Sequence, residues 1–97
     1  EVRPDLALGF HSFGNMLLFP WAFSARANPR FPRYHALSEA FVRGQPRVPY
    51  RARQAFHFYP TIGDLDDWLD TAFGTLAFTV EVSQIDRRLL SPSRLVN

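Results

Sequence analysis

The stretch YPTIGDLDDWLDTAFGTLAFTVEVS, Tyr59 to Ser83, decides how this chain is read. DLDDWLDTAFG (Asp64–Gly74) has the marks of a helix. Asp64 stands where a side-chain oxygen can cap orphan amides, and Asp66 and Asp67 occupy the first turn, facing the positive end of the helix dipole. Gly74 suits a left-handed close. Trp68, Leu69, Ala72 and Phe73 form the apolar stripe that such a helix turns toward a core. TLAFTVEVS (Thr75–Ser83) follows at once, rich in β-branched and aromatic residues, and reads as a strand. Alternation puts Thr79, Glu81 and Ser83 on one face and Phe78, Val80 and Val82 on the other. A carboxylate inside LAFTVEV raises the functional question.

Upstream, DLALGFHS (Asp5–Ser12) alternates in the same way. Leu6, Leu8 and Phe10 share one face, while Ala7, Gly9 and His11 share the other, with small residues leaving room where His11 projects. NMLLFPW (Asn15–Trp21) is a second short apolar run, stopped by Pro20. SARANPRFPRY (Ser24–Tyr34) reads as a proline-broken, arginine-rich loop. HALSEAFVRG (His35–Gly44) reads as a short helix with Leu37, Ala40 and Phe41 on one face and Gly44 as a left-handed cap. QPRVPYRARQAFHF (Gln45–Phe58) is a loop leading into a short extended piece. The tail QIDRRLLSPSRLVN is polar and interrupted by proline. Strands and helices in this order predict an α/β fold, part of a mixed β-sheet with helices packed on it. Two short helices leave sheet faces uncovered, so neighbours are expected and residues 1–97 read as part of a single domain.

The totals agree. With 46% hydrophobic and 15% aromatic residues, the 97-residue chain is globular and not disordered. A chain this long buries only about 60–65% of its unfolded surface, so its core is modest. The formal charge is +2, and all eleven basic residues are arginine. A late-titrating cation set explains a basic isoelectric point without a nucleic-acid partner. The absence of cysteine excludes disulfides, thiolate metal sites and cysteine nucleophiles within the chain. No apolar run approaches the ~20 residues that span a bilayer, so no membrane partner is expected. EVRPDLALGF does not resemble a signal peptide and reads like the middle of a longer protein.

Each candidate for chemistry has an ordinary reading beside the sharper one. Glu81 could sit on the wet face of an edge strand, or be a partly buried carboxylate held for proton transfer. His11 could be a packed or surface histidine, or a metal ligand. A catalytic zinc needs three protein ligands, and His35 and His57 lie in unrelated contexts with no H-x-x-E or H-x-x-x-H spacing.

Taken together, the segments resemble a known family. GFHSFGNMLLFPW, then YPTIGDLDDW, then a glutamate thirteen residues after Trp68 closely resemble the zinc carboxypeptidases of the carboxypeptidase A type. In that family a His-Ser-Tyr-like segment precedes an LLLYPY-like run. A tyrosine stands eight residues ahead of an Asp-Trp pair, and a glutamate lies in an FTFE-like context. Tyr59, Asp67, Trp68 and Glu81 keep both spacings, and AFTVE keeps the context. The resemblance covers about Leu6 to Val82.

It implies that His11 is the third ligand of a Zn2+ ion and that Glu81 is the base assisting zinc-activated water. Tyr59 would be the mobile phenol that closes over a substrate's terminal carboxylate. Asp66 falls at the base of the side-chain pocket, where an acid would favour C-terminal Lys or Arg; Asp64 could approach the same pocket. The implied substrate is a peptide or protein C-terminus, and a secreted or periplasmic location would fit the family. Departures are visible. Phe13 replaces the family's tyrosine, and Asp64 replaces the second glycine of a Gly-Gly pair. The H-x-x-E segment with the first two ligands is absent, as are the arginine and Asn-Arg positions that bind the substrate, so the N-terminal part of the domain is the missing partner and the isolated chain is expected to be inactive. Arg51 and Arg53 cannot take those roles by position. Two other readings stand beside this one. The same fold could run an amidase or deacylase reaction, or Arg26, Arg30, Arg33, Arg47, Arg51 and Arg53 could grip nucleic acid without catalysis.

Overall fold

A computed structural model describes residues 4–45, 47 and 49–83. The polar tail from residue 84 lies outside the described residues. Strands β1 (Leu6–Ser12) and β2 (Met16–Phe19) come first, then helix α1 (Phe31–Arg43) and strand β3 (Arg51–Gln54). A single 3-10 turn (Ala55–His57), helix α2 (Leu65–Phe73) and strand β4 (Leu76–Val82) complete the order. The four strands form one mixed sheet in the order β1-β4-β2-β3. β4 lies inside it, parallel to β1 and antiparallel to β2, and β3 runs parallel to β2. This is the α/β architecture that the alternation predicts. No helix among the described residues is long and apolar enough to cross a membrane.

Register places the core. Leu17 pairs with Val80, and Leu6, Leu8 and Phe10 pair with Leu76, Phe78 and Val80, so these side chains share one sheet face. On it Leu17, Phe19, Leu76, Phe78 and Val80 are buried together with Tyr34 of α1, and Phe41, Tyr50 and Ala52 pack around them. Tyr34 stacks on Phe19 at 5.3 Å between ring centroids and meets Phe78 edge-on at 5.2 Å.

Helix α1 begins four residues before the sequence reading places it. Pro32 does not break the helix but sits in its first turn, where a missing N–H costs nothing. A turn at Asn28 starts it: Asn28 Oδ1 accepts from the Arg30 amide at 2.8 Å, and Arg30 C=O accepts from Arg33 and Tyr34. The cap also differs. Gly44 keeps a right-handed conformation (φ −77°), with its N–H on the carbonyls of Ala40 and Phe41, while the Gln45 amide donates to Val42 C=O.

Helix α2 ends as expected and faces the other way from expectation. Gly74 is left-handed (φ +69°), its amide donating to Asp70 C=O in an αL close and the Thr75 amide to Leu69 C=O. Asp64 is the N-cap residue, but its side chain makes no capping hydrogen bond. The buried face carries Asp66, Asp67 and Asp70, while Trp68 is 55% exposed and Ala72 is exposed. Buried carboxylates outbid the apolar stripe because each has partners aimed at it. Asp70 accepts from Tyr34 Oη at 2.8 Å and Asn28 Nδ2 at 3.0 Å, and pairs with Arg30. Arg30 also donates to the Thr75 carbonyl at 3.1 Å, and the Ala77 amide donates to Tyr34 Oη at 3.1 Å. This network fastens both helices to the start of β4. Burial raises the Tyr34 phenol above its usual range, so it stays a donor.

Candidate functional site

The β1–β4 pairing sets His11 directly against Glu81, near the ends of two parallel strands, so both project from the sheet face opposite the aromatic core. Met16 of β2 flanks Glu81 on its other side. Glu81 is half-buried, and its Oε2 is buried with no hydrogen-bond partner among the described residues. Burial pushes its carboxyl up, against the lowering effect of His11. A partly buried carboxylate without a partner costs free energy in its charged form, so its surroundings favour the protonated one.

Around this pair lies a cavity of about 900 Å³. His11, Tyr59, Asp66 and Glu81, separated by up to seventy positions in sequence (11 to 81), all line it. Tyr59 sits at the mouth, 67% exposed. Its loop is held behind it: the Tyr59 amide donates to Ala55 C=O at 2.8 Å and the Thr61 amide to Ala22 C=O at 3.1 Å. Asp66 is 8% exposed, on the first turn of α2. Burial pushes its carboxyl up to about 6, the Thr79 hydroxyl lowers it, and the neighbouring Asp64 and Asp67 raise it further. Thr79 Oγ1 donates to Asp66 Oδ2 at 2.6 Å and lies two residues before Glu81 on the same face of β4. Asp64 lines the cavity too.

Two residues escaped the sequence reading. Thr79 was legible only as a member of the Glu81 face, because no local signal announces a partner thirteen residues away in α2 (66 to 79). Asp67 reads locally as a dipole-compensating acid, but its carboxylate accepts from the Ala22 amide at 2.9 and 3.0 Å and from the Phe23 amide at 3.2 Å. It thus clamps the segment after β2 to α2, and Ala22 forms part of the cavity wall. Burial raises the Asp67 carboxyl, and these amides oppose the rise. Gly14 seals the turn between β1 and β2, its amide donating to Ser83 C=O at 2.7 Å. Its φ of +148° disfavours any side chain there.

The donor set defines what the site could hold. Among the described residues no group of three His, Cys, Asp or Glu could bind a metal. One imidazole beside one unpaired carboxylate fits a share of a catalytic zinc centre, which takes three protein ligands and keeps a position open. It does not make a whole one.

A family model described as zinc carboxypeptidase matches residues 2–96. No curated protein matches the chain. Among solved structures, the carboxypeptidase A from Helicoverpa armigera is similar at a TM-score of 0.73 and 21% identity. The match covers 84% of this chain and 22% of that chain, so the sequence spans about a fifth of the length of that structure. At that identity the likeness concerns the fold.

Proposed function

The chain belongs to the zinc carboxypeptidase family, and on that premise we propose that residues 1–97 are the C-terminal part of a catalytic domain that removes the last residue of a peptide. The observation that carries this reading is the pairing of His11 with a Glu81 whose Oε2 has no hydrogen-bond partner among the described residues, in a cavity that Tyr59 and Asp66 also line.

Each residue then has a task. His11 would be one zinc ligand, the other two coming from outside the chain. Zinc, when bound, supplies a water whose pKa is lowered to about 7. Glu81 Oε2 would hold a proton during bond cleavage and return it to the leaving amine, work suited to a carboxyl raised by burial. Tyr59, exposed at the mouth, would close over the substrate's terminal carboxylate and exclude water. Asp66 would receive a C-terminal Lys or Arg, whose cation would restore the charged form that burial disfavours. Arg30 is committed to Asp70 and backbone carbonyls, which removes one arginine from any nucleic-acid surface.

The test uses the longest polypeptide that the gene encodes. It should release C-terminal residues from free-acid peptides and spare peptide amides. Equal cleavage of the two would favour an amidase or deacylase on the same fold. The 97-residue chain alone should cleave neither.

A further inference from the structure

A second groove, of about 230 Å³, lies on the core side of the sheet, away from the cavity that holds Glu81. It runs between α1, the 3-10 turn and the segment that carries Ala25 and Ala27. Its floor is apolar, formed by Phe19, Phe31 and Ala52. His35, Ser38 and Glu39 border it from α1, at the spacing that puts three side chains on one helix face, and His57 lines it from the turn. The wall opposite α1 is fixed by Gln54. Its Nε2 donates to Ser24 C=O at 2.9 Å and to Arg26 C=O at 2.7 Å, and its Oε1 accepts from the Asn28 amide at 3.3 Å. A groove held in this way is formed before a ligand arrives.

Two of its polar groups are unmet. Ser38 is 1% exposed, and its buried Oγ has no hydrogen-bond partner among the described residues. Glu39 is exposed and forms no ion pair among them. His35, Glu39 and His57 do not make a metal site, because no group of three such residues among the described ones could hold an ion. Arg53 borders the groove from β3, but it pairs with Leu18, which lines the other cavity, so its guanidinium projects from the opposite sheet face. The hydroxyl, the carboxylate and the two imidazoles that remain can all accept a hydrogen bond, and the one fixed charge among them is negative. Phe31, edge-on to Phe19 at 5.8 Å between centroids, adds an aromatic surface that attracts cations.

We propose that this groove binds an organic cation, an alkylammonium or alkylguanidinium group whose nitrogen donates to Glu39 and to Ser38 Oγ while its carbon chain lies on Phe19 and Phe31. Such a group is donor-only, so the acceptors on the rim serve it fully, whereas an anion meets a like charge there. The volume falls below the ~300–1,000 Å³ of sites for drug-sized ligands, which limits the cation to a small amine or a single side chain. The site is separate from Asp66 and does not rest on the zinc reading.

Saturation-transfer NMR on the longest polypeptide that the gene encodes tests this with three probes of similar size: n-butylammonium, 1-butanol and butyrate. The expected signal from n-butylammonium exceeds the other two by about fivefold or more. It should persist in Asp66→Asn and fall by about fivefold or more in Glu39→Gln, an isosteric change at an exposed position. Equal signals from the three probes, or none from any, overturn the proposal. So does a signal lost in Asp66→Asn and kept in Glu39→Gln, which places the cation in the other cavity. A Gly-Lys-Gly peptide blocked at both ends separates the two sources. Binding of the peptide that depends on Glu39 assigns the groove to a protein side chain, and binding of n-butylammonium alone assigns it to a free amine. Release of C-terminal residues, measured on the same samples, should be unchanged in Glu39→Gln, so the failure of either idea leaves the other standing.

Discussion

At the scale of the residue, Glu81 and Asp66 show one physical effect put to two uses. Both carboxyls are raised by burial, but Asp66 has the Thr79 hydroxyl as partner whereas Glu81 Oε2 has none among the described residues. Glu81→Gln should leave the fold intact and lower cleavage by the complete domain about 10²–10⁴-fold, the range of a lost general base. Steady-state kinetics beside a thermal melt will show it. Asp66→Asn should abolish a preference for C-terminal Arg or Lys over Leu, read as the ratio of kcat/KM values. Asp66 also sets a pH dependence. Its carboxyl is raised from about 4 unfolded to about 6 in the fold, so folding favours the protonated form. The stabilisation is complete below about pH 4 and is lost as pH rises through about 6. Relative to Asp66→Asn, the natural chain should lose on the order of 2–3 kcal/mol of stability between pH 4 and pH 7 in urea titrations.

At the scale of the element, Asp70 ties two helices to β4, and its loss should cost more than that of any exposed residue. Asp70→Ala leaves Arg30, Asn28 and Tyr34 without their shared acceptor and should destabilise the chain by about 3 kcal/mol in chemical denaturation. A change near zero would mean that water replaces the carboxylate. The same element shows what a sequence reveals. β4 and β1 were legible because period-two alternation is a local property, and Gly74 because a left-handed close needs glycine. The buried face of α2 was not, because Asp66, Asp67 and Asp70 are inside through partners at Thr79, Ala22 and Asn28, up to 45 positions away. Hydrophobicity then pointed to Trp68, which is half in water. The start of α1 was missed for the converse reason: Pro32 reads as a breaker unless a first turn, prepared by Asn28, is known to precede it. In the site, His11, Tyr59, Asp66 and Glu81 were each visible in the sequence, while the Thr79 and Asp67 contacts that hold its walls were not.

At the scale of the molecule, the described fold is a four-stranded sheet that sets His11 and Glu81 side by side near the ends of two parallel strands. Sheet order distinguishes their strands. β4, the strand with Glu81, is interior and flanked by β1 and β2, whereas β1, the strand with His11, is flanked on one side only among the described residues. On the proposed reading, this chain supplies the base and one metal ligand, and the other two ligands come from outside residues 1–97. The most direct test is zinc content after equilibrium dialysis at micromolar metal, measured on the 97-residue chain, on the longest polypeptide that the gene encodes, and on its His11→Ala variant. The account predicts about one zinc per molecule in the longer protein and less than a tenth of that in the other two. Stoichiometric zinc in the short chain, or undiminished zinc in the His11→Ala variant, would contradict it.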